Sequence, residues 1–433
     1  MLSHSDNPVI LSTQVQTSIA DLEPLTRKVF LFLTPPSPLD NRADVDQVRI
    51  ALERNHGSVY VPLALMTRIP SICRKADWQV TATLADYGQG WKLIDLEPGD
   101  TTGDQYGLAI DIGTTTVVAY LVNLSDGRVV RHAADYNDQI ALGEDILSRI
   151  REAAEPGGLA RLQKAVLDTL NRLIKRLILS DVDTHRITAA AVGANTTMVH
   201  LLLGIDPASI CRDPYTPVVN NPGILAAGEI GLDIYPLAPV YCLPSIGSYL
   251  GGDVIGGILV SGMHKQPDVS LFVDIGTNGE IVIGNSEWLV ACAGAAGPAL
   301  EGGVTAFGMR AEQGAVDHVS IDPVTHQVEY TTIGNSPARG ICGSGLVDVL
   351  SELFLNGIID RTARFREGKK EFVIVPTQKT GLGKDIVVTQ VDINNFMSTK
   401  GAVNSAIDLL MENVGCAWQE IKHLHLLSLV LNI

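Results

Sequence analysis

The sequence predicts an α/β protein built from two similar lobes, with a small α+β domain in front of them. Three observations carry this. From Gly107 onward, strand-like apolar runs alternate with glycine turns and amphipathic helical stretches. A strand–turn–strand segment occurs twice, as "GLAIDIGTTTVVAYLV" from Gly107 and "LFVDIGTNGEIVIGN" from Leu271. Finally, 433 residues, 46% of them hydrophobic and 18% charged, are enough for two to four domains with a large buried core.

Residues 1–25 are polar and unpatterned and read as a loose lead-in. "RKVFLFLTPP" is a strand running into a Pro-rich turn, and "DNRADVDQVRIALER" has the spacing of an amphipathic helix. "ADWQVTATLADYGQGWKLIDLEPGD" contains two alternating runs split by "YGQG", a hairpin signal. Residues 26–104 therefore form the small α+β domain, ending in the linker-like "EPGDTTGDQ". The remainder, 105–433, divides into lobe one at about 105–250 and lobe two at about 251–433. In lobe one, "GLAIDIGTTTVVAYLVNLSDGRVVRHAADY" reads as paired strands with "SDG" at a turn. "GEDILSRIREAAEPGGLARLQKAVLDTLNRLIKRLI" reads as two helices broken at "EPGG". "ITAAAVGANTTMVHLLLGIDP" is strand, glycine turn and helix, and "GGDVIGGILVSGM" is helical. Aligning Asp111 with Asp274 superposes Ile112 on Ile275, Gly113 on Gly276 and Thr114 on Thr277, which is the signature of a duplicated unit.

Composition excludes several classes. With 32 basic and 48 acidic residues the formal charge is −16, and no Lys/Arg stripe interrupts it, so broad contact with nucleic acid or anionic lipid is not expected. The N-terminus lacks the pattern of a signal peptide, and no apolar run approaches the ~18–20 residues that span a bilayer. Cys73, Cys211, Cys242, Cys292, Cys342 and Cys416 lie far apart with no C-x-x-C pair, so no disulfide framework or metal module is legible. Reduced thiols in a cytoplasmic protein are the expectation.

The repeated segment carries the chemistry. A Gly-Thr turn between paired strands offers backbone N–H groups and hydroxyls to one point with no bulky side chain in the way, a geometry suited to phosphate oxygens. The aspartate before it sits at the strand end, where a carboxylate can hold Mg²⁺ or a metal-bound water. Two such loops on facing lobes would close on a polyphosphate from both sides.

"DIGTTT" and "DIGTNGE" resemble the phosphate-one and phosphate-two motifs of the acetate kinase, sugar kinase, chaperone and actin (ASKHA) superfamily. More narrowly, "NDQIALGEDILSRI", "VGANTTMVHLLLGIDP", "ACAGAAGPALEGG", "GMRAEQGAV" and "GICGSGLVDVLSELFLNGIID" resemble the reductive activators of corrinoid proteins, in order over about residues 107–420. The resemblance implies duplicated ribonuclease H-like lobes of the actin-like ATPase type. It also implies use of ATP and Mg²⁺ to drive an electron onto an inactive Co(II) corrinoid, restoring Co(I). Carried over by position, Asp111 with Gly113, Thr114, Thr115 and Thr116 forms the first phosphate loop. Asp274 with Gly276, Thr277, Asn278 and Gly279 forms the second, the two aspartates serving as catalytic and metal-binding carboxylates. Glu280 is a further carboxylate beside the second loop. Gln139, Glu144 and Asp145 fall in the connecting motif; Asp145 is the acid carried forward for positioning the attacking water, ordinary helix-start acids being the alternative. Gly340, Gly343, Ser344 and Gly345 are carried over as nucleotide-binding, and Asn195 as a helix cap or a nucleotide contact.

Two departures from the family accompany the resemblance. Members carry an iron–sulfur domain, whereas no set of cluster ligands is legible here. Where the family continues with a strand and a glycine-rich turn for adenosine, this chain ends at "LSLVLNI", and an incomplete second lobe with an exposed apolar face is expected. The implied partners are a corrinoid protein and an electron donor, either a ferredoxin-like protein or a separate cluster domain; a homodimer is left open. A small-molecule kinase of the same superfamily and a non-catalytic nucleotide-binding remnant remain open alternatives at this point.

Overall fold

A computed structural model of the protein describes residues 24–178, 183–276, 279–294 and 305–427. The lead-in falls outside them except for its last two residues, and so do Thr277 and Asn278 of the second loop. Two compact units divide between Asp253 and Val254.

The first unit opens with a four-stranded sheet. Its elements are β1 (Thr26–Phe32), α1 (Asp44–His56), β2 (Val59–Tyr60), α2 (Leu63–Met66), α3 (Ile69–Lys75), β3 (Gln79–Asp86) and β4 (Trp91–Pro98), with strand order β1-β3-β4-β2. β3 and β4 form the expected hairpin, and Gly88 and Gly90 supply the positive φ of its turn. Val48, Leu52, Ile69 and Cys73 of the helices bury against Val80, Leu84 and Leu93 of the sheet. Burial there pushes the Cys73 thiol up to about 11, which keeps it protonated and inert.

A six-stranded sheet follows. It comprises β5 (Tyr106–Ile112), β6 (Thr116–Asn123), β7 (Val129–Tyr136), β8 (Ile187–Ala194), β9 (Ile224–Ala226) and β10 (Pro239–Cys242), in the order β7-β6-β5-β8-β10-β9. β5, β6 and β7 are antiparallel neighbours, whereas β8 runs parallel to β5 and β10 parallel to β8. Its helices are α4 (Ile146–Ala153), α5 (Gly158–Leu177), α6 (Thr196–Leu203), α7 (Ala227–Ile230) and α8 (Gly252–Ser261), the last crossing the unit boundary. The i, i+4, i+8 spacing of Leu162, Val166 and Leu170, with Leu173, Ile174 and Leu177 on the same side, turns an apolar stripe of α5 onto Val117, Ala119 and Leu121. Each such leucine contributes about 1.5–3 kcal/mol by leaving water. Ala85 and Ile94 of the small sheet join this core, and the Tyr235 hydroxyl donates to the Ile94 carbonyl at 2.6 Å.

The second unit repeats the pattern. Its elements begin with β11 (Val269–Ile275), β12 (Gly279–Gly284) and β13 (Leu289–Gly294). They continue through β14 (Ala315–Ile321), β15 (Val328–Thr332), β16 (Gly340–Ile341), α9 (Gly343–Leu355), β17 (Glu371–Val375), β18 (Ile386–Thr389), α10 (Gln390–Val414) and β19 (Ile421–Leu427). The main sheet runs β13-β12-β11-β19, the same third-second-first-fourth order with a parallel fourth strand. α10 lies on β12 and β13 as α5 lies on β6 and β7. The sheets β15-β14-β16 and β17-β18 are inserted between β13 and α10 and share a separate core with α9. The duplicated ribonuclease H-like architecture is therefore present. No helix among the described residues is long and apolar enough to cross a membrane.

One buried histidine gives this fold a pH signature. His200 on α6 is fully buried; its Nδ1 bonds the Thr196 carbonyl at 2.7 Å, and its Nε2 accepts the Val218 N–H at 3.1 Å. Both nitrogens are satisfied only by the neutral ring with hydrogen on Nδ1, and burial holds the pKa below the ordinary value. The unfolded chain takes up the proton first, so stability is complete above about pH 6.5 and declines as pH falls below it. Urea unfolding between pH 7 and 5 is predicted to show a shallower pH dependence in His200→Gln than in the wild-type chain. Equal slopes would remove His200 as the cause.

Candidate functional site

The segment expected to be the first phosphate loop is the turn between β5 and β6. Asp111 pairs in register with Val118 and Ile112 with Val117, leaving Gly113 to Thr116 to reverse the chain. Gly113 donates its N–H to the Thr116 carbonyl at 2.9 Å, and a Cβ at Gly113 would sit 2.7 Å from that same oxygen, so only glycine closes the turn. The carbonyls of the next residues all face the protein. Asn137 Nδ2 donates to Gly113 O at 3.0 Å, the Asn137 N–H donates to Thr115 O at 2.8 Å, and Arg149 Nη2 donates to Thr114 O at 2.5 Å. With the carbonyls turned inward, the N–H groups of Thr114 and Thr115 meet no acceptor among the described residues. Unpaired, half-buried amides at a turn are what an anion site requires.

Asp111 stands at the end of β5, next to this turn, and no donor among the described residues reaches its carboxylate. Burial pushes its pKa up to about 7, and the charge of Asp253 pushes in the same direction. Two glycines bring Asp253 there. A Cβ at Gly251 would lie 2.4 Å from Asn195 Cα, and one at Gly252 2.6 Å from the Leu243 carbonyl, so the start of α8 packs against the ends of β8 and β10 more closely than any side chain allows. Asp253 is the acidic residue that sequence reasoning missed. Its signal was the Gly-Gly doublet directly before a helix, where close backbone approach is the physical reading.

The second loop lies between β11 and β12. Asp274 pairs with Glu280 and Ile275 with Gly279, so this turn is one residue shorter than the first. Gly276 and Gly279 flank the turn, and Thr277 and Asn278 lie outside the described residues. At α9, Cys342 is the N-cap and Gly343, Ser344 and Gly345 form the first turn. Gly340 and Gly345 have packing reasons of their own. A Cβ at Gly340 would lie 2.6 Å from Phe307 O, and one at Gly345 2.2 Å from Val316 O.

In the connecting segment, Asp145 is exposed and accepts the Ser148 N–H at 2.7 Å as the N-cap of α4. Gln139 is buried, with Nε2 on Leu162 O at 2.9 Å and Oε1 on Arg149 Nη1 at 3.0 Å; Glu144 is exposed. Asn195 caps α6 through Met198 N–H at 2.9 Å, and its Nδ2 also reaches Thr114 Oγ1 at 3.4 Å. Among the described residues no group of three or more His, Cys, Asp or Glu side chains could hold a metal ion. The six cysteines are unpaired, and burial pushes Cys242 up to about 11.

Comparison with known proteins agrees with this architecture. Residues 268–427 match the model of the C-terminal, ASKHA domain of RACo, residues 106–266 the RACo middle region, and residues 16–103 the RACo linker region. A solved reductive activator for a corrinoid, iron–sulfur protein superposes with a TM-score of 0.85 at 38% identity, covering 98% of this chain and 69% of that one. The chain belongs to the family of reductive activators of corrinoid proteins. Among curated relatives, the corrinoid activation enzyme RamQ of Eubacterium limosum is 32% identical over 77% of this chain. The Co(II) methylated amine-specific corrinoid protein reductase of Methanosarcina barkeri is 22% identical over 74%. The chain spans 59% and 62% of the lengths of those two relatives.

The packing role of Gly345 is testable. Gly345→Ala is predicted to lose about 1–3 kcal/mol of unfolding free energy, the cost of forcing a methyl into a filled space. A change below about 0.5 kcal/mol, the scale of an ordinary surface substitution, would contradict the close approach to Val316.

Proposed function

We propose that this chain binds MgATP at the Gly113–Thr116 turn and couples its hydrolysis to reduction of a Co(II) corrinoid protein to Co(I). The observation that carries the reading is the turn itself: three carbonyls held inward, two amides without an acceptor, and a carboxylate with no donor beside it. The amides of Thr114 and Thr115 and the threonine hydroxyls would take phosphate oxygens. Asp111 and Asp253 would hold Mg²⁺, which ordinarily uses one or two carboxylates and completes its shell with water and phosphate. A divalent cation fits here because no donor among the described residues reaches the buried Asp111 carboxylate, which also feels the charge of Asp253. When bound, the metal would neutralise phosphate charge during transfer to water.

In the second unit, Asp274, Gly276, Thr277, Asn278 and Gly279 are proposed as the equivalent phosphate loop, and Gly340, Gly343, Ser344 and Gly345 as further nucleotide contacts. Asp145 is engaged in its cap, and Gln139 is spent on Leu162 and Arg149. Asp145 uses one carboxylate oxygen in its cap, and its other oxygen is proposed to position the attacking water. An iron–sulfur cluster does not fit the cysteines present, which are scattered and in part buried with raised pKa. The proposed electron donor is a ferredoxin-like protein or a cluster domain outside these 433 residues. The corrinoid protein is the proposed partner, and the cytoplasm the proposed location.

ATP turnover, measured with a Co(II) corrinoid protein and a reductant, is predicted to rise with the partner and to fall about 10²–10³-fold in Asp111→Asn, the scale of losing one electrostatic stabiliser. In cation-free buffer at pH 8 the same variant should be at least as stable as wild type, because one of two neighbouring negative charges is gone. Phosphate transfer to an added acceptor in place of water would replace this reading with a kinase, and absence of nucleotide binding would end it.

A further inference from the structure

We infer that Arg149 is a positioning residue for the first phosphate loop: its buried guanidinium sets the turn so that the amides of Thr114 and Thr115 face outward. No role was evident for it in the sequence, where it is one arginine in "GEDILSRI". It is the largest of the fully buried side chains among the described residues. Burying a guanidinium costs free energy unless its donors are used. Here they are used in a fixed fork: Nε on the Gly143 carbonyl at 2.9 Å, Nη1 on Gln139 Oε1 at 3.0 Å and on Met198 Sδ at 3.2 Å, and Nη2 on the Thr114 carbonyl at 2.5 Å.

Three further features make this an arrangement built around the loop. A Cβ at Gly143 would meet Arg149 N at 2.8 Å and Arg149 Cγ at 2.9 Å, so the backbone beside the arginine has been cleared for it. Asp145 caps the first turn of α4, and the Arg149 N–H bonds the Asp145 carbonyl at 3.1 Å, which fixes where the side chain starts. Asn137, fully buried, completes the clamp by holding Gly113 O and Thr115 O on either side of Thr114. Three consecutive carbonyls are thus pinned from outside the turn, two by the side chains of Asn137 and Arg149 and one by the Asn137 backbone N–H. A peptide whose carbonyl is pinned inward presents its N–H on the opposite side, because the group is planar. The guanidinium also places a permanent positive charge behind a loop proposed to face phosphate. Lysine would keep the charge but cannot reach all of these acceptors from one planar fork.

The inference deepens the nucleotide reading and rests on it for the ligand, but the clamp can be tested with and without nucleotide. Arg149→Lys and Asn137→Ala are compared with the wild-type chain by thermal unfolding, by amide hydrogen exchange without ligand, and by MgADP affinity. In the ligand-free proteins, exchange at the bonded turn amides of residues 113 and 137 is expected to quicken in both variants while the core strands around Leu108 and Ala190 stay as in wild type. MgADP affinity is expected to weaken at least about tenfold, equivalent to ~1.4 kcal/mol, in variants that remain folded. Unchanged exchange at the turn, or affinity within about twofold of wild type in both variants, would overturn the inference. Loss of protection spread evenly over the sheet would make Arg149 a core residue only, and would also overturn it. If the wild-type chain binds no MgADP, the nucleotide reading falls while the exchange comparison still decides the clamp.

Discussion

The candidate site depends on the inward anchoring of one turn. A hairpin between two strands can ordinarily pair its own amides and carbonyls, and a turn satisfied in that way offers nothing to a ligand. Between Ile112 and Val117 the carbonyls of Gly113, Thr114 and Thr115 are taken instead by Asn137 and Arg149. The amides at Thr114 and Thr115 are left over as a consequence, since each peptide has one donor and one acceptor and the acceptor is committed. The structure thus keeps backbone polarity unmatched at one place and places that mismatch at the carboxyl end of the central strand of the sheet. Ligand sites of α/β sheets characteristically lie there.

Close backbone approach supplies the second half of the arrangement. Asp253 reaches the neighbourhood of Asp111 because Gly251 and Gly252 let the start of α8 lie against Asn195 and Leu243. Burial pushes the Asp111 pKa up to about 7, and the charge of Asp253 pushes in the same direction. The same β5 strand that carries Asp111 also buries Leu108, Ile110 and Ile112 in the core, so chemistry and stability share one element.

Much of this was legible in the sequence, and the gaps have physical causes. The duplicated "DIGT" segment located both β5–β6 and β11–β12, because alternating apolar residues around a Gly-Thr turn leave few other conformations. The break at "EPGG" separated α4 from α5, and the apolar spacing of α5 predicted the face it buries. Asp253 was legible only in part, because the Gly251-Gly252 doublet signals close backbone approach but not that the approach is to a strand more than a hundred residues earlier. Arg149 was hidden for the converse reason: on sequence an arginine in an amphipathic helix reads as solvated, and only the fold turns it inward. Asp145 shows the ambiguity of helix-start acids, its carboxylate being bound to Ser148 at the N-terminus of α4. The inserted sheets β14–β18 carry short strands of two to seven residues within mixed polar segments, too little periodicity to fix from sequence.

The central claim is that the Gly113–Thr116 turn and the Asp111–Asp253 pair together bind a metal–nucleotide. Counting bound Mn²⁺ by electron paramagnetic resonance, with and without ADP, tests it most directly. The account predicts Mn²⁺ binding that depends on ADP and that weakens at least about tenfold in Asp253→Asn. Mn²⁺ binding indifferent to ADP, or unaffected by that substitution, would contradict it.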